Sequence, residues 1–179
     1  MNPIEYTTRW LQTFVIGLQL CPFARLPFEQ QKIRYVLEEG TENEQWAAAC
    51  VTELQYLIAH PETETSLLIF STALTDFDDY LDFLDLAEHV LRVLHLEGVI
   101  QIASFHPNYQ FAGSTPDDVS NYTNRSPYPM LHFLREKSVQ WAVESHPNVE
   151  AIPNQNIARL EALGKKEIKQ LLHDLNRAD

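Results

Sequence analysis

An α/β fold is predicted for this sequence: a small, mainly parallel sheet of at least three strands flanked by helices, with a helical C-terminal region. Short apolar runs of strand length alternate with longer segments of helical periodicity from residue 33 to residue 105. A helix between successive strands favours right-handed parallel crossovers, so the order strand, helix, strand, helix, strand implies a parallel sheet. Beyond residue 126 only helical patterns are read. The 179 residues fit one α/β domain, 1–179, and no repeat, low-complexity tract or linker divides them.

Each element has its own signal. Ile4 to Leu20 places Trp10, Phe14, Gly17 and Leu18 at helical spacing, and Cys21-Pro22 closes that helix. Ile33, Tyr35 and Leu37 alternate with polar neighbours, which gives a strand with one wet face, expected at a sheet edge. From Glu42 to Ala59 apolar residues recur at Trp46, Ala49, Cys50, Leu54, Leu57 and Ile58, a helix stopped by His60-Pro61. Ser66 to Ser71 contains Leu-Leu-Ile-Phe, a run suited to a strand covered on both faces. Thr75 as a cap, with Asp78 reaching back, starts a helix that extends to about His95. Gly98 punctuates it, and Val99 to Phe105 forms the third strand. Helices are then expected over Pro127–Ser145, Asn154–Leu163 and Lys165–Arg177, with Gly164 between the last two.

Composition narrows the partners. With 13 basic and 25 acidic residues the net charge is -12, which repels phosphate backbones and anionic lipid surfaces, so no nucleic acid and no membrane partner is expected. The apolar run Phe14–Cys21 is too short to span a bilayer and follows no basic leader. Two cysteines cannot make a disulfide framework, and a reducing, cytoplasmic setting follows.

The most informative segment is the connection of roughly 20 residues between the third strand and Ser126, since loops this long in compact domains are usually functional or disordered. Tyr109, Phe111 and Tyr122 argue for order. His106 follows a buried strand, is held extended by Pro107, and lies at the carboxyl edge where α/β sheets collect ligands. Its imidazole is suited to general acid/base work; a ring hydrogen-bonded to loop backbone is the structural alternative. Asn124-Arg125-Ser126-Pro127-Tyr128 reads as a helix start, with Ser126 as cap and Pro127 in the first turn. Free amides there plus the Arg125 guanidinium make an anion-binding corner; alternatively Arg125 ties the loop to Asp117 or Asp118. Asp117 would orient His106, while Tyr109, Tyr122 and Tyr128 shape the pocket or donate hydrogen bonds. His132 and Glu136, one helical turn apart, have metal-binding spacing but read better as an outer face shared with Gln140. Cys21 at a helix C-terminus is a poor thiolate, because the dipole opposes the negative charge.

Longer motifs carry a resemblance. Phe14-Val15-Ile16-Gly17-Leu18-Gln19-Leu20-Cys21-Pro22-Phe23-Ala24, Thr75-Asp76-Phe77 with Tyr80 to Ala87, Ala103-Ser104-Phe105-His106-Pro107-Asn108-Tyr109-Gln110-Phe111-Ala112-Gly113 and Asn121 to Pro129 together resemble the bacterial domain of unknown function numbered fourteen-fifteen, from roughly Trp10 to Gly164. The resemblance implies no activity and no cofactor.

The residues themselves predict an enzyme acting on a small anionic metabolite, bearing phosphate or carboxylate, with His106 as proton carrier and Asn124, Arg125 and Ser126 holding the anion. A non-catalytic metabolite-binding or protein-interaction module built on the same loop is the rival. A metal-dependent hydrolase using His106 with Asp117 or Asp118 is a third expectation. No nucleotide-cradling glycine loop, zinc cysteine cluster or serine-hydrolase elbow is present in the sequence.

Overall fold

The computed structural model describes residues 2–177. Asn2 starts α1 (Pro3–Trp10), its Oδ1 accepting the Ile4 N–H at 2.9 Å, and Pro3 fills a first-turn position that needs no amide partner. The long first helix then widens into a π-helical stretch, Leu11–Ile16, with bonds such as Gly17 N–H to the Gln12 carbonyl at 3.0 Å. The consequence is that Phe14, Val15 and Ile16, consecutive in sequence, are all buried. Gly17 ends the stretch where a Cβ would collide with the Thr13 carbonyl oxygen. A short α2 (Arg25–Glu29) leads into the sheet.

β1 (Ile33–Glu38), β2 (Thr65–Phe70) and β3 (Ile100–Phe105) form where the sequence predicts them, separated by α3 (Asn43–Ala59) and α4 (Phe77–Val93). Glu42 and Gln45 form a reciprocal capping box at α3. At α4 the cap is Asp76 rather than Thr75: its carboxylate accepts the Asp78 and Asp79 N–H groups. A carboxylate offers a charged acceptor to a helix N-terminus, so it displaces the neighbouring hydroxyl.

The sheet is mixed, not mainly parallel. Its order is β1-β2-β4-β3, because a fourth strand, β4 (Met130–Arg135), inserts antiparallel to both neighbours. β1 and β2 are parallel, and β3 runs in their direction on the far side of β4. The helix expected over Pro127–Ser145 is therefore a central strand followed by α5 (Glu136–Ser145). β4 has no wet face, so Met130, Leu131 and Phe133 are all buried and no alternation marks it as a strand.

Helices cover both faces. On one face Leu54 and Leu57 of α3 and Phe83 of α4 pack in one cluster with Leu68, Phe70 and Phe133 of the sheet. Against α1, the π-helical stretch, α6 (Ile152–Leu163) and α7 (Lys165–Leu175) lie Trp10, Phe14, Ile69, Met130, Leu160 and Ile168. Two of the buried polar side chains are tied into this core by several hydrogen bonds each. Glu53 is 1% exposed and receives Arg34 through Nε at 2.9 Å and Nη2 at 3.1 Å, plus the Ser66 hydroxyl at 2.6 Å. Tyr80 is spliced into the sheet end, donating to the Met130 carbonyl at 2.8 Å and accepting the Phe105 N–H at 3.0 Å.

His132 projects from β4 toward Thr65, which overturns its pairing with Glu136 on one helix face. Since the Thr65 hydroxyl gives its hydrogen to the Phe133 carbonyl at 2.6 Å, the 2.7 Å contact makes His132 Nε2 the donor. Burial pushes its pKa down to about 4, so the ring is neutral. Among the described residues no group of three or more His, Cys, Asp or Glu is placed to hold a metal, and no helix is long and apolar enough to cross a membrane.

Candidate functional site

The loop after β3 is ordered by its own polar groups. Asn121 is fully buried; its Oδ1 accepts the Phe111 N–H at 3.0 Å and the Ser114 hydroxyl at 2.8 Å, while Nδ2 donates to the Thr115 carbonyl at 2.8 Å. Asn124 closes the loop back on the strand, Nδ2 donating to the Ser104 carbonyl at 3.1 Å and its own carbonyl accepting the His106 N–H at 3.2 Å. Asp118 Oδ1 caps a short 3-10 turn over Val119–Thr123 by accepting the Ser120 N–H. Sequence reasoning passed over Asn121, because an asparagine in a polar loop is ordinary until its burial is known.

His106 fastens this loop to the connection between β2 and α4. The side chain is 0% exposed, Nε2 donates to the Leu74 carbonyl at 2.9 Å, and Nδ1 accepts the Asn108 N–H at 3.0 Å. The bond to Leu74 pins a residue with φ of 56°, a left-handed conformation unfavourable for leucine. Phe77 and Tyr80 pack on the ring with centroids at 5.1 Å. Burial lowers the imidazole pKa, with the Leu74 carbonyl opposing that shift only in part. Both ring nitrogens are thus committed to backbone groups.

Asp117 does not orient His106. It lies at the surface, 87% exposed, in an ion pair with Lys165 at the start of α7. That bond and charge hold its carboxyl below the usual range, with smaller contributions from Lys169 and Arg125. Tyr109 packs on Phe77 and Phe111, its hydroxyl 3.4 Å from Ser104 Oγ. His106, Asp117 and Tyr109 therefore do not converge on one reacting atom.

Of the residues expected to hold an anion, Tyr122, Arg125 and Ser126 line one cleft, while Asn124 and Tyr128 do not. Arg125 sits 4.6 Å over the Tyr122 ring and donates Nε–H to the Tyr109 carbonyl at 3.1 Å and Nη2–H to the Pro116 carbonyl at 2.8 Å. It ties the loop through carbonyls, not through Asp117 or Asp118. Of its five N–H groups these bonds use two, and both on Nη1 remain available. Arg125, Tyr122, Ser126, Pro107 and Asn108 line a cleft of about 310 Å³ completed by Tyr6 of α1 and by Lys169 and Leu172 of α7. Among the described residues no carboxylate lines it.

Ser126 does not cap a helix: its hydroxyl donates to the Tyr128 carbonyl at 2.6 Å and shapes the turn into β4. The free helix amides expected there are absent because Met130 begins a strand. Tyr128 supports the cleft from behind, edge-on to Tyr6 at 5.9 Å. The Tyr6 hydroxyl donates to the Leu172 carbonyl at 3.2 Å, and burial followed by Tyr128 raises its pKa. Asn124 spends its side chain on Ser104 and is not among the lining residues. Cys21 is free, and burial raises its pKa, as a poor thiolate requires. Lys169, Tyr6 and Leu172 went unpredicted because only the packing of α1 and α7 delivers them to the loop.

A second cleft of about 310 Å³ lies between α3 and α4, lined by Asn43, Trp46, Leu74, Phe83 and Leu86 with Asp79 and Asp82. Its charge is opposite to that of the first.

Compared with known proteins, residues 2–170 match the family model described as "Protein of unknown function (DUF1415)". No curated protein and no solved structure matches the chain.

Proposed function

The chain belongs to the DUF1415 family, and we propose that it binds a small anionic metabolite bearing phosphate or carboxylate in the cleft between the loop after β3 and α7. The observation that carries this reading is charge placement. In a chain of net charge -12, Arg125 and Lys169 line one cleft from separate elements, with no carboxylate in its walls among the described residues. A guanidinium supplies a planar pair of donors to an oxyanion, and a lysine ammonium supplies a point charge. Tyr6, Tyr122, Pro107, Pro127 and Leu172 offer an apolar wall for the rest of the ligand.

The binding reading is better supported than catalysis by His106. A proton carrier needs a nitrogen within reach of its substrate, and both of the His106 nitrogens already serve the loop backbone. The two free cysteines, with no disulfide between them, support a cytoplasmic setting.

Thermal melts against orthophosphate and a panel of phosphorylated and carboxylated metabolites test the proposal. A ligand at about a hundred times its dissociation constant adds roughly 2.7 kcal/mol of stability. Lys169→Ala is the informative variant, since Lys169 is exposed and Arg125 also fastens the loop. A stabilisation in wild type that Lys169→Ala diminishes supports the reading; no stabilisation by any anion overturns it.

A further inference from the structure

The two outer edges of the sheet are finished differently. At β3 the chain covers its own edge, with Asn124 Nδ2 on the Ser104 carbonyl at 3.1 Å and the Ile100 N–H on the Leu96 carbonyl at 3.0 Å. At β1 no strand pairs with the outer side. The Lys32 carbonyl accepts amides from the start of β2, and the parallel register then turns the backbone groups of Arg34, Val36 and Glu38 inward as well. Ile33, Tyr35 and Leu37 consequently point their N–H and C=O groups outward. Exposed edges are normally blunted by proline, lysine, a bulge or a covering segment. Ile-Arg-Tyr-Val-Leu-Glu contains no proline, lysine or break, and its β-branched Ile33 and Val36 and aromatic Tyr35 suit a strand.

We propose that β1 pairs antiparallel with β1 of a second copy of this chain, about a two-fold axis at Val36, joining two four-stranded sheets into one. The occupant is argued from self-complementarity. About this axis Tyr35 meets Leu37 of the second copy as a hydrogen-bonded pair, and Arg34 stands directly across from Glu38 of the second copy, twice by symmetry. The neighbouring symmetric register, about Tyr35, sets Arg34 against Val36 and loses both charge pairs. Arg34 engages Glu53 through Nε and Nη2 and stacks 3.9 Å over the Tyr56 ring, and Nη1 makes no hydrogen bond to a carboxylate within the chain. Glu38 spends Oε1 on the Gly40 N–H and keeps Oε2. A single strand pair buries little area, which places the association among weak interfaces of micromolar affinity.

Sedimentation velocity of the full chain from low to high micromolar concentration reads the outcome. Two variants act on the edge without touching the cleft. Leu37→Pro deletes an outward N–H while leaving the bonds to β2 in place, and Glu38→Lys sets like charges against each other across the axis. Wild type forms a dimer, and each variant that retains a cooperative melt weakens it at least about tenfold, or about 1.4 kcal/mol. A wild-type monomer throughout that range, or a dimer that Glu38→Lys leaves unchanged, overturns the proposal. Should Leu37→Pro fail to fold, Glu38→Lys alone decides.

Discussion

Truncating His106 to alanine separates a fastening from a proton carrier. The ring makes two backbone hydrogen bonds, at 2.9 and 3.0 Å, and packs on Phe77 and Tyr80. Buried bonds of this kind contribute about 1 to 1.5 kcal/mol each, and their loss strands the Leu74 carbonyl and the Asn108 N–H. The aromatic contacts add about 1 kcal/mol. His106→Ala should therefore cost about 3 to 4 kcal/mol in urea or thermal unfolding, a fall of roughly 10 °C in Tm for a chain of this size. Affinity for an anionic ligand, measured by calorimetry well below the melting range, should fall only as far as the loop loosens. A loss under about 1 kcal/mol together with abolished turnover or binding would refute the structural assignment and return His106 to the chemistry.

Asp117→Asn removes a negative charge that Lys165, Lys169 and Arg125 all feel, so anion affinity should rise by calorimetry while Tm stays nearly unchanged, as expected for an exposed pair. Acid should destabilise the fold before its carboxylates titrate. His132 has a folded pKa depressed to about 4, so the unfolded chain binds the extra proton and stability falls as pH drops from 6.5 toward 4. After allowance for the part of the ring that still meets solvent, the loss is about 2 kcal/mol, and His106 shifts in the same direction; a flat stability profile from pH 7 to 4.5 contradicts this. Glu53→Ala strands the Ser66 hydroxyl and frees Arg34, which is exposed enough to hydrate, so unfolding should show a loss of about 2 kcal/mol, less than for a fully buried pair. Cys50, pushed up to about 12 by burial and by neighbouring Glu38 and Glu53, should resist thiol reagents in the native state and react once unfolded.

Period and punctuation made β1, β2, β3 and the helices between them legible, because each of those strands either alternates or forms a bounded apolar run. β4 was not legible: Ser126 and Pro127 imitate a helix start, and a strand buried on both faces has no alternation to betray it. That single miss also produced the expected helix amides at Ser126 and the apparent His132–Glu136 pair. The loop was conspicuous by its length, and Arg125 and Tyr122 by their chemistry. Whether His106 faces solvent depends on Leu74 and Asn108, whose approach is a tertiary fact that local sequence does not encode. Lys169 looks like any lysine on a solvated helix until α7 is docked.

The cleft draws Tyr6 from α1 and Lys169 from α7, two residues separated by most of the chain. Closing so long a contour loop carries its entropic cost late in folding, after the local crossovers of the sheet have formed. A chain interrupted before α7 lacks Lys169 and Leu172, and with them one wall of the pocket. On the proposed binding reading, ligand affinity is accordingly a readout of finished synthesis. A partial opening that lifts α7 would release ligand while the sheet stays intact, and amide exchange along α7 would slow in proportion to occupancy.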